Sequence, residues 1–329
     1  MTPPHPESLS GPTVFDARKG LVALLASVFV LCGVALATEP RAKLKVALTF
    51  DDLPLNGTLP TGALRSEFAR ATTAVLKKYR IPPSYGFINA HALEQSPDGA
   101  LALKLWIAAG HPLANHTYSH LDLSKNSADD FQREILRNEP VLELLQPARG
   151  AKGTWKWFRY PYLHEGDTLE KRRAVRAFLQ ANGYRIAETT LDWEDYLWNS
   201  ANARCVMKKD AASIQWLHES YLTAAKDFMR FQRENSRTVF GRDINHVLLL
   251  HQGSFSAQIL PELFALLKSE GFEIVTLEEA QSDPVYELDP DIADASGGTL
   301  VELMMEKTGI AWPANAPKKP RERLTTICQ

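Results

Sequence analysis

The chain has 329 residues, 45% of them hydrophobic and 23% charged, with a formal net charge of −2. That length suits one large or two ordinary domains with a sizeable core. The near-neutral balance, with no basic stripe interleaved with aromatics, argues against a nucleic-acid partner, and three cysteines are too few for a disulfide scaffold.

The N-terminus departs from the rest. Residues 1–19 are polar and Pro-rich and end in Arg18-Lys19; residues 21–36 are almost wholly apolar; Ala35-Leu36-Ala37 has the small-x-small form of a signal-peptidase site. The apolar run is short for a bilayer span of roughly 20 residues. We therefore expect a signal peptide over 1–37 and export to the periplasm or the cell exterior. The alternative is an uncleaved membrane anchor, and otherwise the mature form has no membrane contact. The mature chain keeps Cys205 and Cys328, enough for one disulfide.

Beyond Pro40 strand-like and helix-like runs alternate. Residues 44–50 read as a strand, and 61–79 as a helix with Leu64, Phe68, Ala71, Val75 and Leu76 at helical spacing, broken by Pro82-Pro83. Strand 85–89, helix 98–109 stopped by Gly110, and a short strand 112–115 follow. Helix 127–145 has Ser127 as its N-cap. Then come strand 155–159, helix 168–181 ended by Asn182-Gly183, strand-like 184–187 and 189–191, and a long helix 210–234. Strand 247–250, helix 257–269 and strand 273–276 complete the series. Alternation of this kind predicts an α/β domain with a parallel sheet of about seven strands, open or closed as a barrel. It occupies 38–283, with a C-terminal extension, 284–329, packed on the surface or partly irregular.

Polar groups collect just after the strands, at the functional face of such sheets. Asp51 and Asp52 end the first strand; alone they would read as an Asp-rich turn. His116 and His120 form a His-x-x-x-His pair which, on a helical turn, would share one face and one ion. Asp52 can supply a third ligand, leaving positions open for water and substrate. Zn2+ suits such a set, and Co2+, Ni2+ and Fe2+ also fit. Asp51 then stays free as a base, if the turn after the strand brings both carboxylates to the site. His251, delivered by the apolar run 247–250, suits a general acid. Arg159 can fork onto a carboxylate and hold the base. Asp192, Trp193, Glu194, Asp195 and Tyr196 add acids and aromatics; rim aromatics stack on sugars about as often as they pack in cores. His164 has the nearest thing to a motif context among the other histidines and could line the cleft, although a surface or structural role is the more common one for such a residue.

Together, Thr49-Phe50-Asp51-Asp52, His116-Thr117-Tyr118-Ser119-His120, Arg159-Tyr160-Pro161-Tyr162, Asp192 to Asp195, and Leu248-Leu249-Leu250-His251 resemble, in order, the five motifs of the polysaccharide deacetylase family, carbohydrate esterase family four. The resemblance implies a distorted (β/α) barrel of about seven parallel strands. It implies Asp51 as base, Asp52, His116 and His120 as metal ligands, and His251 as acid. Arg159 would orient Asp51, and an Asp of the fourth motif, by preference Asp192, would support His251 or Arg159. Tyr162 and Trp193 are the expected substrate contacts. The implied partner is an acetylated glycan, and the implied reaction is metal-dependent N-deacetylation. O-acetyl ester hydrolysis on the same scaffold and a catalytically inactive glycan-binding protein are the alternatives. Leu53-Pro54 replaces the family's usual Gly-Pro, Tyr196 stands where Trp is common, and about 55 residues separate the last two motifs; these departures bear on the substrate groove.

Overall fold

The computed structural model describes residues 44–96, 98–146 and 155–329. The expected signal segment lies outside them.

The sheet is built around β1 (Leu44–Leu53), in which only Lys45 and Asp52 escape full burial. A strand covered on both faces needs apolar side chains on both, which is why 46–50 reads as a mostly apolar run rather than an alternating one. Six shorter strands accompany it: β2 (Tyr85–Ile88), β3 (Leu113–Asn115), β4 (Trp157–Phe158), β5 (Arg185–Ile186), β6 (His246–His251) and β7 (Phe272–Val275). All pairings are parallel, in the order β5-β4-β3-β2-β1-β6. Val46 and Ala47 pair with both β6 and β7, whereas Thr49 and Phe50 pair with both β6 and β2. The edge of β1 opposite β6 is thus shared, β7 on its first half and β2 on its second.

The stretch after β5 curls the sheet. The Ala187 N–H donates to the Phe158 carbonyl (2.8 Å), and four residues later Leu191 accepts from the Leu249 N–H (3.0 Å). One short segment thereby leans on β4 at its start and on β6 at its end. The result is a curled half-barrel of seven parallel strands with flanking helices, the distorted (β/α) barrel expected.

The outer helices follow the amphipathic runs, with Ser127 and Thr168 capping Ala128–Leu145 and Leu169–Ala181 through their hydroxyls (3.1 and 3.3 Å). The expected helix over 210–234 is longer, Ala211–Phe240, and is preceded by a separate helix, Tyr196–Lys208. That helix buries Trp198, Asn199, Ala201, Asn202, Ala203 and Cys205 on more than one side, so it carries no clean apolar stripe for periodicity to detect. Its outer neighbour is the C-terminal helix Arg321–Thr326, tied to it by the Cys205–Cys328 disulfide and by Arg204, which donates to the carbonyls of Leu324 (2.7 Å) and Ile327 (3.1 Å). A further helix, Leu300–Lys307, begins with a capping box formed by Thr299 and Glu302.

Candidate active site

Strict alternation along β1 would put Asp51 and Asp52 on opposite faces of the sheet. The backbone prevents this: Asp52 has φ 61°, and the pairing with β2 shifts register between Phe50 and Leu53. Both carboxylates therefore line one cavity of about 360 Å³. Asn56, four residues on, donates to Asp52 Oδ2 at 2.7 Å and fixes its rotation.

His116 and His120 also reach this cavity, but not from a helical turn as expected. They lie on an irregular loop after β3, with φ 64° at Thr117 and φ 61° at His120. Asn89 braces that loop by donating to the carbonyls of His116 (2.6 Å) and Thr117 (3.1 Å). His116 Nδ1 lies 2.7 Å from the Arg159 carbonyl. A carbonyl only accepts, so Nδ1 carries the proton and Nε2 presents a lone pair. Nε2 of His116 is 3.5 Å, and Nε2 of His120 3.3 Å, from Asp52 Oδ1.

These three side chains fit a metal ion. A tetrahedral ion with bonds of about 2.0–2.1 Å holds its ligand atoms about 3.3–3.4 Å apart, close to the two distances above. Asp52 Oδ1 is buried without a hydrogen-bond partner, as an oxygen reserved for a cation would be. Burial alone would raise the Asp52 carboxyl, but the imidazoles of His116, His120 and His251 outweigh it and hold the group far below the usual carboxylate range. Burial lowers His120 to about 4, so its imidazole is neutral and free to ligate at neutral pH.

Asp51 is held by Arg159. The guanidinium is fully buried over the ring of Phe87, and its Nη1 approaches both Asp51 oxygens, at 3.3 and 3.2 Å. Nε donates to the Ala187 carbonyl (2.6 Å) and Nη2 to Thr49 Oγ1 (3.1 Å). Asp51 cannot swing away without breaking this set.

Across the cavity stands His251, in register with Asp51 on the neighbouring strand. Its Nδ1 lies 2.6 Å from Asp195 Oδ1, and its backbone N–H donates to Asp195 Oδ2 at 2.9 Å. Burial pulls the imidazole down, but the charge and hydrogen bond of Asp195, with Asp52 and Asp51 beyond, push it up to about 10. The supporting acid is therefore Asp195 and not Asp192. Asp192 lines the cavity, accepts the Glu194 N–H at 2.6 Å, and is raised to about 6 by burial. A three-residue offset explains the swap: Asp195 is the N-cap of the helix Tyr196–Lys208, while Asp192 directly follows the Leu191 bridge to β6.

Tyr162 lines the cavity, 55% exposed, with its ring centroid 4.4 Å from that of His120. Trp193 does not. It is 0% exposed and packs edge-on against Tyr221 at 5.8 Å, so it belongs to the core and cannot touch a substrate. His164 lines the cavity, its Nδ1 2.8 Å from Asp122 Oδ1. Asn56, Glu194, Tyr196 and Ser296 are wall residues that sequence reasoning did not assign. Glu194 is held by Lys319 (2.9 Å) and Arg321 from the C-terminal segment. Only the Gly297-Gly298 pair beside Ser296 could have hinted that the segment returns to the site.

Five non-glycine residues with left-handed backbone line this one cavity: Asp52, His120, Tyr162, Leu163 and Glu194. Such conformations are costly for L-residues and gather where a fold aims side chains for chemistry.

Residues 38–187 match the family model described as Polysaccharide deacetylase. A peptidoglycan-N-acetylglucosamine deacetylase of Bacillus cereus is 28% identical over 163 residues, 50% of this chain and 50% of the relative. A chitin deacetylase of Arthroderma benhamiae is 30% identical over 151 residues, 46% of this chain and 35% of the relative. The chain thus spans about half the length, or less, of these relatives. Among solved structures, the chitin deacetylase of Colletotrichum lindemuthianum aligns over 71% of this chain and 86% of its own, at 22% identity and a TM-score of 0.48. Residues 38–187 are thus similar to the polysaccharide deacetylase family, and the ordered motifs stand gathered around one cavity.

Proposed function

We propose that this chain is a metal-dependent hydrolase that removes N-acetyl groups from a glycan such as a chitooligosaccharide or peptidoglycan. One observation carries the reading. The Asp52–His116–His120 cluster lies between a carboxylate clamped by a buried arginine and an imidazole clamped by a buried carboxylate, all in one open cavity. The named activities of the relatives support the same class.

Asp52, His116 and His120 would hold the ion, zinc by preference over cobalt, nickel or iron. When bound, it supplies Lewis-acid polarisation and makes water more acidic. Asp51 accepts a proton as the water oxygen bonds to the acetyl carbon; Arg159 keeps it aimed. The backbone N–H of Tyr162, in the cavity wall, donates to the oxyanion. His251, protonated at neutral pH because of Asp195, delivers its proton to the amide nitrogen. The C–N bond then breaks, giving acetate and a free amine. Asp192 shapes the cavity floor and takes no proton in this scheme.

The protein acts outside the cytoplasm. The signal-like residues 1–37 support this, as does a disulfide of the kind oxidising compartments favour. Among the described residues no helix is long and apolar enough to cross a membrane.

The test is acetate release from N-acetylglucosamine oligomers and peptidoglycan fragments, with and without chelator. Zinc-loaded wild type should release acetate and chelated protein should not. A zinc-loaded protein inert on all of them sinks the reading and favours a binding role.

A further inference from the structure

We propose that residues 294–312 build a second sugar-binding trough that continues the catalytic cavity and takes a further unit of the same glycan. This rests on the glycan-deacetylase reading above. The trough has a volume of about 420 Å³ and is lined by, among others, Asp294, Ser296, Gly298, Met305, Glu306 and Trp312. Ser296 also lines the catalytic cavity, so the two spaces share a wall residue.

The loop between them is fastened to the catalytic wall. Gly297 has φ 73°, and a Cβ there would stand 2.3 Å from the Tyr162 carbonyl oxygen and 2.7 Å from His164 Cδ2. Only glycine permits so close an approach. The Asp294 N–H donates to the Gly166 carbonyl (3.1 Å) and the Leu300 N–H to the Thr189 carbonyl (2.8 Å). A ligand chain leaving the catalytic cavity past Tyr162 therefore meets a fixed path.

Trp312 gives that path a purpose. It is 47% exposed although an indole is costly to leave in water, and the edge contact with Phe231 (5.1 Å) braces it. A braced, open aromatic beside the carboxylates of Asp294 and Glu306 is what a sugar ring needs. Its C–H face stacks on the indole and its hydroxyls donate to the acids. The residues that line the trough lie beyond the stretch 38–187 that matches the family model.

The test compares wild type, Trp312→Ala and Trp312→Phe on a dimer and a hexamer of N-acetylglucosamine. For Trp312→Ala we expect KM for the hexamer to rise roughly tenfold with kcat kept, the dimer unchanged, and Trp312→Phe to restore most of the loss. Unchanged dimer kinetics show that the variant is folded. An equal hexamer-to-dimer KM ratio in wild type and Trp312→Ala overturns the trough. If neither substrate yields acetate, the deacetylase reading falls. Calorimetric binding of the hexamer still decides the trough, for it if binding weakens in Trp312→Ala and against it if not.

Discussion

Asp195 grips His251 twice, accepting from the backbone N–H with one oxygen and lying 2.6 Å from Nδ1 with the other. The second contact fixes both the ring's orientation and its charge. Asp195→Asn keeps the shape and removes the anion. We expect kcat to fall by roughly 10²-fold, and the pH limb that reports loss of the acid to move to lower pH. A variant slowed with that limb unmoved would make Asp195 a packing residue only. Ester substrates, whose leaving group needs less proton delivery, should suffer less.

Asp51 and Arg159 should separate chemistry from stability. Asp51→Asn is expected to cut acetate release by roughly 10²–10⁴-fold while bound zinc, measured by elemental analysis, stays stoichiometric. Arg159→Met leaves a buried carboxylate without its cation. Chemical denaturation of the chelated protein should show a loss of about 3–5 kcal/mol.

Metal binding should be visible without any substrate. With zinc at a hundred times its dissociation constant, the native state gains about 2.7 kcal/mol, read as a rise in melting temperature. His120→Ala should lose that rise and bind zinc at least 10²-fold more weakly by calorimetry. Asp192→Asn should keep it, since Asp192 is not among the three clustered ligands. A rise that survives in His120→Ala would place the ion elsewhere.

The metal-free protein should also carry a pH signature. His251 is raised from 6.5 to about 10 in the folded state. Its protonation thus stabilises fully below about 6.5, and the contribution disappears as pH climbs through about 10. Between those limits chelated wild type should lose melting temperature faster than chelated His251→Gln. Parallel curves would mean that the imidazole is not held as a cation.

The Cys205–Cys328 disulfide spans a sequence separation of 123 residues. Closing so long a loop should contribute about 2–5 kcal/mol. Cys205→Ser with Cys328→Ser, or reductant on wild type, should lower the unfolding midpoint accordingly. The site should also feel it, because the same C-terminal segment carries Lys319 and Arg321 onto Glu194. We expect KM to shift more than kcat.

Much of this was readable in the residues alone. The order of strands and helices followed from periodicity, and the residues brought together at the site, Asp51, Asp52, His116, His120, Arg159 and His251, from motifs that end or follow strands. What periodicity could not reach were features set by backbone geometry or by distant chain. The left-handed turns at Asp52 and His120 override alternation and helical spacing. The exchange of Asp195 for Asp192 depends on where a helix starts, and the helix Tyr196–Lys208 hides because several of its sides are buried. Trp193 looked like a rim aromatic for want of any local sign that Tyr221 would cover it. Ser296 joins the cavity wall from more than a hundred residues beyond Tyr162 in sequence.

The left-handed conformation at Thr117 has an engineering consequence. A β-branched residue is among the least comfortable there, so glycine or asparagine should make the loop easier to form. Yet Thr117 also accepts the Leu121 N–H through its hydroxyl (3.2 Å), one residue beyond His120. Selection for heat resistance would find an inexpensive gain at this position, and each such gain would slacken the aim of the imidazole beside it.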